Sequence, residues 1–291
     1  MNRAFKTRRT PLAPAALLAA ALSLFVARPG PAAPTAAPNT LDLGKGPTVV
    51  VVHDLGASRL SWLPTARKLI GSHHVVLVDL PGHSGSALPD PFTFEAAAEA
   101  LDLVLAKQNP DSTVLVGKGM GGMLLLQDLK THPDRARGLI LIDVAVKTPL
   151  KISDAEEIKW FNEMLDTRYD DFVKMVYSRA GRDSAEGLRI RAMVGQVPPV
   201  TMKAYYRTLF TADVSPALRS IKQPMLFIAT DRLFKDGRTW GAVSHDLGFD
   251  DSTSVAVRRI PGSSTLVMQD MPDSLAAVIS DFTAQALKGR K

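Results

Sequence analysis

Residues 114–126, Val-Leu-Val-Gly-Lys-Gly-Met-Gly-Gly-Met-Leu-Leu-Leu, set four glycines between a β-branched apolar run and a helix-like apolar run. Three readings compete for this stretch. Gly117, Gly119 and Gly122 spell G-x-G-x-x-G, a turn whose backbone N–H groups can cradle the diphosphate of a dinucleotide. Asp143 lies 21 positions beyond Gly122, where that motif seats an acid for the ribose. Gly117, Gly119 and Gly121 instead have the spacing of G-x-S-x-G, a strained strand-to-helix corner that presents a nucleophile, with Gly119 in the serine's place. The third reading is a tight corner without chemistry.

Other reactive types are sparse. The chain has no cysteine, which excludes disulfides, thiolate metal sites and a thiol nucleophile. No spacing of His, Asp and Glu suggests a metal site, and His73 and His74 are neighbours that point apart on a strand. No metal and no cofactor are expected. His53, Asp54, Lys118 and His245 remain as acids, bases or ligand contacts.

The elements that position these residues follow from periodicity. Short β-branched runs at 48–54, 74–82, 113–117, 138–145, 224–231 and 252–262 suit strands buried on both faces. Helical runs stand between them, and Thr93 is placed to cap the one at 93–108. Such alternation predicts a mostly parallel α/β sheet with helices on both faces. The rhythm breaks over 147–222, where helix signals alone occur, including a capping-box pair, Ser153 and Glu156. The expected domains are a core in two parts, 47–146 and 223–291, with a helical cap inserted at 147–222. The aromatics Trp160, Phe161, Phe172, Tyr177, Tyr205, Tyr206 and Phe210 are expected to form mostly the core of this helical cap.

Five of the chain's six net positive charges fall in residues 1–32, so the remainder carries no nucleic-acid footprint. That segment has a basic start, an apolar run and small residues, the pattern of an export signal. The chain is therefore expected to be secreted or periplasmic, touching a membrane only through this segment if it stays uncleaved. Residues 33–46, rich in Ala, Pro and Thr, read as a linker.

Four ordered stretches carry a family resemblance. His53–Trp62 (HDLGASRLSW), Asp79–Ser86 (DLPGHSGS), the approach to Met225–Asp231, and Ile260–Asp273 (IPGSSTLVMQDMPD) are similar to the signatures of the α/β-hydrolase fold family, of the epoxide-hydrolase, esterase and haloperoxidase type. The resemblance implies a nucleophile on the corner, an acid after the fifth strong run, a histidine after the last strand, and cap aromatics that also line a pocket between cap and sheet. Those positions hold Gly119, Leu233 and Thr265, and no histidine follows His245. Asp231 stands two positions early for the acid. The implied oxyanion hole uses the N–H groups of Leu55 and Met120, and Asp54 replaces a glycine beside it. The fourteen residues ahead of the core leave no room for the family's usual first two strands.

Losing the nucleophile or base of such a triad costs about a millionfold in rate, roughly 8 kcal/mol of barrier. The chain is thus expected to be a hydrolase scaffold without its triad, binding a small apolar molecule or a protein partner through His53, Asp54, Lys118, Gly119 and Thr265. The competing expectations are a hydrolase or lyase that uses Asp54, His53 or His245, and a dinucleotide-binding protein.

Overall fold

The structure, a computed structural model, describes residues 35–147, 155–178, 180–209, 211–249 and 255–288. Residues 1–32, read above as an export signal, and Ser153 and Phe210 lie outside the described residues. Among the described residues no helix is long and apolar enough to cross a membrane.

Seven strands form one sheet in the order β1-β3-β2-β4-β5-β6-β7. They are β1 (Thr40–Gly44), β2 (Thr48–Val52), β3 (His74–Val78), β4 (Thr113–Lys118), β5 (Gly138–Ile142), β6 (Met225–Thr230) and β7 (Val255–Ile260). All neighbours are parallel except β1, which pairs antiparallel with β3. β1 corrects the linker expectation for 33–46: one of the two upstream strands is present after all. Its Thr-Leu-Asp-Leu-Gly alternates exposed and half-buried positions, as an edge strand with one covered face does. Five residues beside a Pro-rich run are too short a signal to separate from a linker.

The central strands are buried on both faces because helices cover both. On one side, α2 (Phe94–Leu105) and α3 (Met120–Thr131) pack together. Thr93 caps α2 by accepting from the Ala96 N–H at 3.0 Å. On the other side, α1 (Leu63–Leu69) packs on α11 (Pro272–Lys288). Val50, Leu115 and Leu141 belong to one core, and Val49, Val116 and Ile140 to the other.

Between β5 and β6 come α4 (Ala155–Thr167), α5 (Tyr169–Tyr177), α6 (Ser184–Val194), α7 (Pro199–Leu209) and α8 (Ser215–Ser220). Phe161, Phe172 and Tyr206 form the cap's own core, as expected, while Trp160 is exposed. Two boundaries shift. Tyr205 turns into the main core and donates to the Pro81 carbonyl at 3.1 Å. α8 packs on α3 with Ala217 and Leu218 in the main core, so the cap proper ends before it. The remaining helices are α9 (Trp240–Leu247) and α10 (Val267–Asp270).

The glycine cluster serves this packing. A Cβ on Gly117 would lie 2.7 Å from the Gly122 nitrogen, and one on Gly121 would lie 2.8 Å from the Val52 carbonyl carbon. Helix α3 therefore sits against β4 and β2 at a separation that no side chain allows. Gly121→Ala is expected to destabilise the fold by about 2–3 kcal/mol, because backbone cannot yield as a flexible side chain would; urea denaturation of the two proteins measures it.

Candidate functional site

The corner between β4 and α3 is the centre of the site. Gly119 has φ 49° and ψ −118°, a conformation that strains any residue with a Cβ. A Cβ built there would also overlap the Asp54 carboxyl group. Asp54 lies on the loop after β2, and its Oδ1 accepts two backbone N–H groups, from Leu55 at 2.8 Å and from Met120 at 3.0 Å. These are the two donors that the sequence assigned to an oxyanion hole. The carboxylate occupies their focus.

Lys118 ends β4, with its side chain buried beneath this carboxylate. Its Nζ lies 3.7 Å from Asp54 Oδ2 and 3.8 Å from Asp143 Oδ2. Asp143 follows β5 at φ 48° and takes the Thr230 N–H at 2.9 Å and the Thr230 hydroxyl at 2.7 Å. One buried ammonium is thus shared by two carboxylates from different loops.

Above them lies a cavity of about 300 Å3 between the corner and the cap. Asp54, Leu55, Lys118 and Thr265 line it, together with Tyr177, Arg232 and apolar residues of α6. Gly119 has no side chain to present, and Met120 contributes its N–H. Leu233 packs against the main core and does not line the cavity. Thr265 donates its hydroxyl to the Ala180 carbonyl at 2.7 Å.

Three expectations are corrected. His53 is not a ligand contact: it is fully buried, its Nδ1–H donates to the Asp54 carbonyl at 2.7 Å, and its Nε2 accepts the Leu80 N–H at 3.0 Å. With both ring nitrogens engaged it orients the Asp54 loop instead. His245 is exposed on α9 and lies outside the cavity lining. The dinucleotide reading fails because the Asp54 carboxylate fills the space at the corner and takes the Met120 N–H that a diphosphate would need, and both oxygens of Asp143 are held by Thr230. Asp231 pairs with Arg259 and accepts the Gly262 N–H at 2.6 Å, a turn role.

Sequence reasoning missed Glu186. This α6 carboxylate is buried, and it accepts the Ser264 hydroxyl, the Leu266 N–H at 3.3 Å and the Arg182 N–H at 2.7 Å. It ties the loop that carries Thr265 to the cap. An acid in an ordinary amphipathic helix gives no sign of a partner 78 residues away. Tyr177 is the cap aromatic that lines the cavity. Its hydroxyl accepts from that of Tyr206 at 2.6 Å, and burial pushes the Tyr177 phenol up, with the charge of Asp54 adding to the shift.

A parallel sheet with a cap after β5 and a strained corner after β4 defines an α/β protein of the hydrolase type. The chain belongs to the alpha/beta hydrolase family, whose family profile matches residues 49–278. It is similar to a pimeloyl-[acyl-carrier protein] methyl ester esterase of Pseudoalteromonas atlantica, 32% identical over 110 residues. That match covers 37% of this chain and 41% of the relative, so the chain spans about two fifths of that relative's length. Among solved structures it resembles a hydrolase from Oleispira antarctica, with TM-score 0.71 and 14% identity over 85% of this chain and 94% of the other. It also resembles the enol-lactonase of Burkholderia xenovorans, with TM-score 0.70 and 18% identity over 87% and 100%. At these identities the two structures establish the fold alone.

Two outcomes follow from the site. Lys118→Met strands two carboxylates without their cation and is expected to cost about 3 kcal/mol, read as a lowered denaturation midpoint. His83 is buried beside His53, and burial and that neighbour push it down to about 3. A histidine held neutral in the fold and titrating near 6.5 when unfolded contributes stability that is present above pH 6.5 and lost as pH falls toward 3. Between about pH 6.5 and 3, the stability of wild type is expected to fall more steeply than that of His83→Gln, by up to about 1.4 kcal/mol per pH unit; urea midpoints across that range test it.

Proposed function

We propose that this protein is an exported hydrolase-fold binding protein without acyl-transfer activity, which takes a small, largely apolar molecule in the cavity under its cap. The observation that carries the reading is the Asp54 carboxylate, which fills both the oxyanion position and the space of a side chain at 119. A hydrolase of this kind stabilises a developing oxyanion with those two N–H groups. Here they are spent on a fixed negative charge, which opposes a second one. Among the described residues no imidazole lines the cleft to move a proton: His53 and His83 are buried in loop hydrogen bonds, and Thr265 stands at the base position.

The esterase relatives support a second reading, hydrolysis of an ester, for which Asp54 is the cavity-lining carboxylate that could act as general base on a water. The two readings separate in one assay. The full chain is expected to show no hydrolysis of short p-nitrophenyl or methyl esters above buffer. Turnover that disappears in Asp54→Asn would overturn the non-catalytic reading. Engineering gives the converse test. Gly119→Ser, Leu233→Asp and Thr265→His together are expected to stay inactive while Asp54 is present, and to gain esterase activity once Asp54→Gly is added. Activity in the triple variant with Asp54 retained would show that the carboxylate does not block the site.

A further inference from the structure

We infer that the cleft recognises its ligand through a hydrogen-bond donor on the ligand's head, an amine or a hydroxyl, with Asp54 Oδ2 as the acceptor. The inference deepens the non-catalytic binding reading and rests on it.

In the oxyanion arrangement implied by the sequence, the floor of the cleft offers two donors to a carbonyl oxygen. In this chain the carboxylate reverses that polarity. Leu55 N–H and Met120 N–H both point at Asp54 Oδ1, at 2.8 and 3.0 Å. Oδ2 has no hydrogen-bonded donor among the described residues. The cation nearest to it is Lys118 Nζ at 3.7 Å, which is divided with Asp143. The Asp54 side chain is 35% exposed and lines the cavity, whereas that of Lys118 is 2% exposed. The accessible charge on the floor is therefore the acceptor.

The other polar groups of the wall are largely committed. The Thr265 hydroxyl donates to the Ala180 carbonyl and the Ser61 hydroxyl to the Ser58 carbonyl, while Tyr177 accepts from Tyr206 and keeps its own O–H. Arg232 is the exposed cation of the lining, on the 3-10 helix after β6. Leu55, Val176, Ile190, Met193, Val194 and Leu266 supply an apolar wall. The cavity, about 300 Å3, is of the size that holds a small organic molecule. An ester or carboxylate oriented onto Oδ2 brings lone pairs against lone pairs and leaves a polar group unpaired on each side. A primary amine or an alcohol places an N–H or O–H on Oδ2 and its chain along the apolar wall.

Isothermal titration of the full chain with octylamine, 1-octanol, octanoate and methyl octanoate tests this directly. The amine or the alcohol is expected to bind at least about tenfold more tightly than octanoate and the ester, a difference of about 1.4 kcal/mol. The ratio of amine to alcohol separates charge pairing from a neutral hydrogen bond. Asp54→Asn turns an amide N–H2 toward the cavity and is expected to abolish the preference. Asp54→Gly frees the two N–H groups and is expected to raise affinity for the ester. Wild type binding octanoate or the ester as tightly as the donors, failing to bind either donor, or keeping its preference in both variants overturns the inference. Methanol release is followed in the same samples: turnover of methyl octanoate overturns the non-catalytic reading, while the order of amine, alcohol and octanoate still reports on the head-group inference.

Discussion

A side chain at residue 119 and the carboxylate of Asp54 cannot occupy the same space, and the rest of the site follows from that exclusion. With Asp54 present, position 119 must be glycine. With glycine at 119, the corner keeps its strained backbone at little steric cost, and the two N–H groups beside it need an acceptor. Asp54 Oδ1 is that acceptor. The substitution of the corner residue and the appearance of an acid on a different loop are thus one structural change rather than two.

The carboxylate in turn requires Lys118. Burying an ammonium is expensive unless it is paired, and this one has two partners. Asp143 is fixed by Thr230 and cannot turn away, so the lysine links the ends of β4, β5 and β6 to the loop after β2. The polar core beneath the cavity is a rigid floor. His53 reinforces it from behind by accepting the Leu80 N–H and donating to the Asp54 carbonyl. The roof is held separately, by Glu186 of α6 reaching the loop around Ser264. Both imidazoles and the buried acids Asp143 and Glu186 thus hold loops in place.

Much of this was readable in the residues before any coordinates. The β-branched runs gave six of seven strands, and the break over 147–222 gave the cap, because burial on two faces and helical periodicity are local patterns. The missing imidazole was equally plain, since no histidine follows His245. Glycine at the corner and aspartate beside it were visible as substitutions. What was not visible was their mutual contact. β1 escaped because a five-residue edge strand beside prolines has no distinctive composition, and His53 misled because a histidine beside a glycine-rich loop looks the same whether it faces a cavity or a backbone.

By itself, then, the chain of residues determined the layered sheet, the inserted cap, and which reactive groups are absent, since these depend on residue type and short-range order. The tertiary structure alone decided what replaces them. Met120 N–H and Asp54 Oδ1 lie 66 residues apart in the chain, and their meeting depends on the register of β2 and β4 and on a single side-chain rotamer. A one-dimensional pattern records that a carboxylate exists near a turn. Only packing fixes that it points inward, captures two backbone donors and leaves one oxygen facing the cavity.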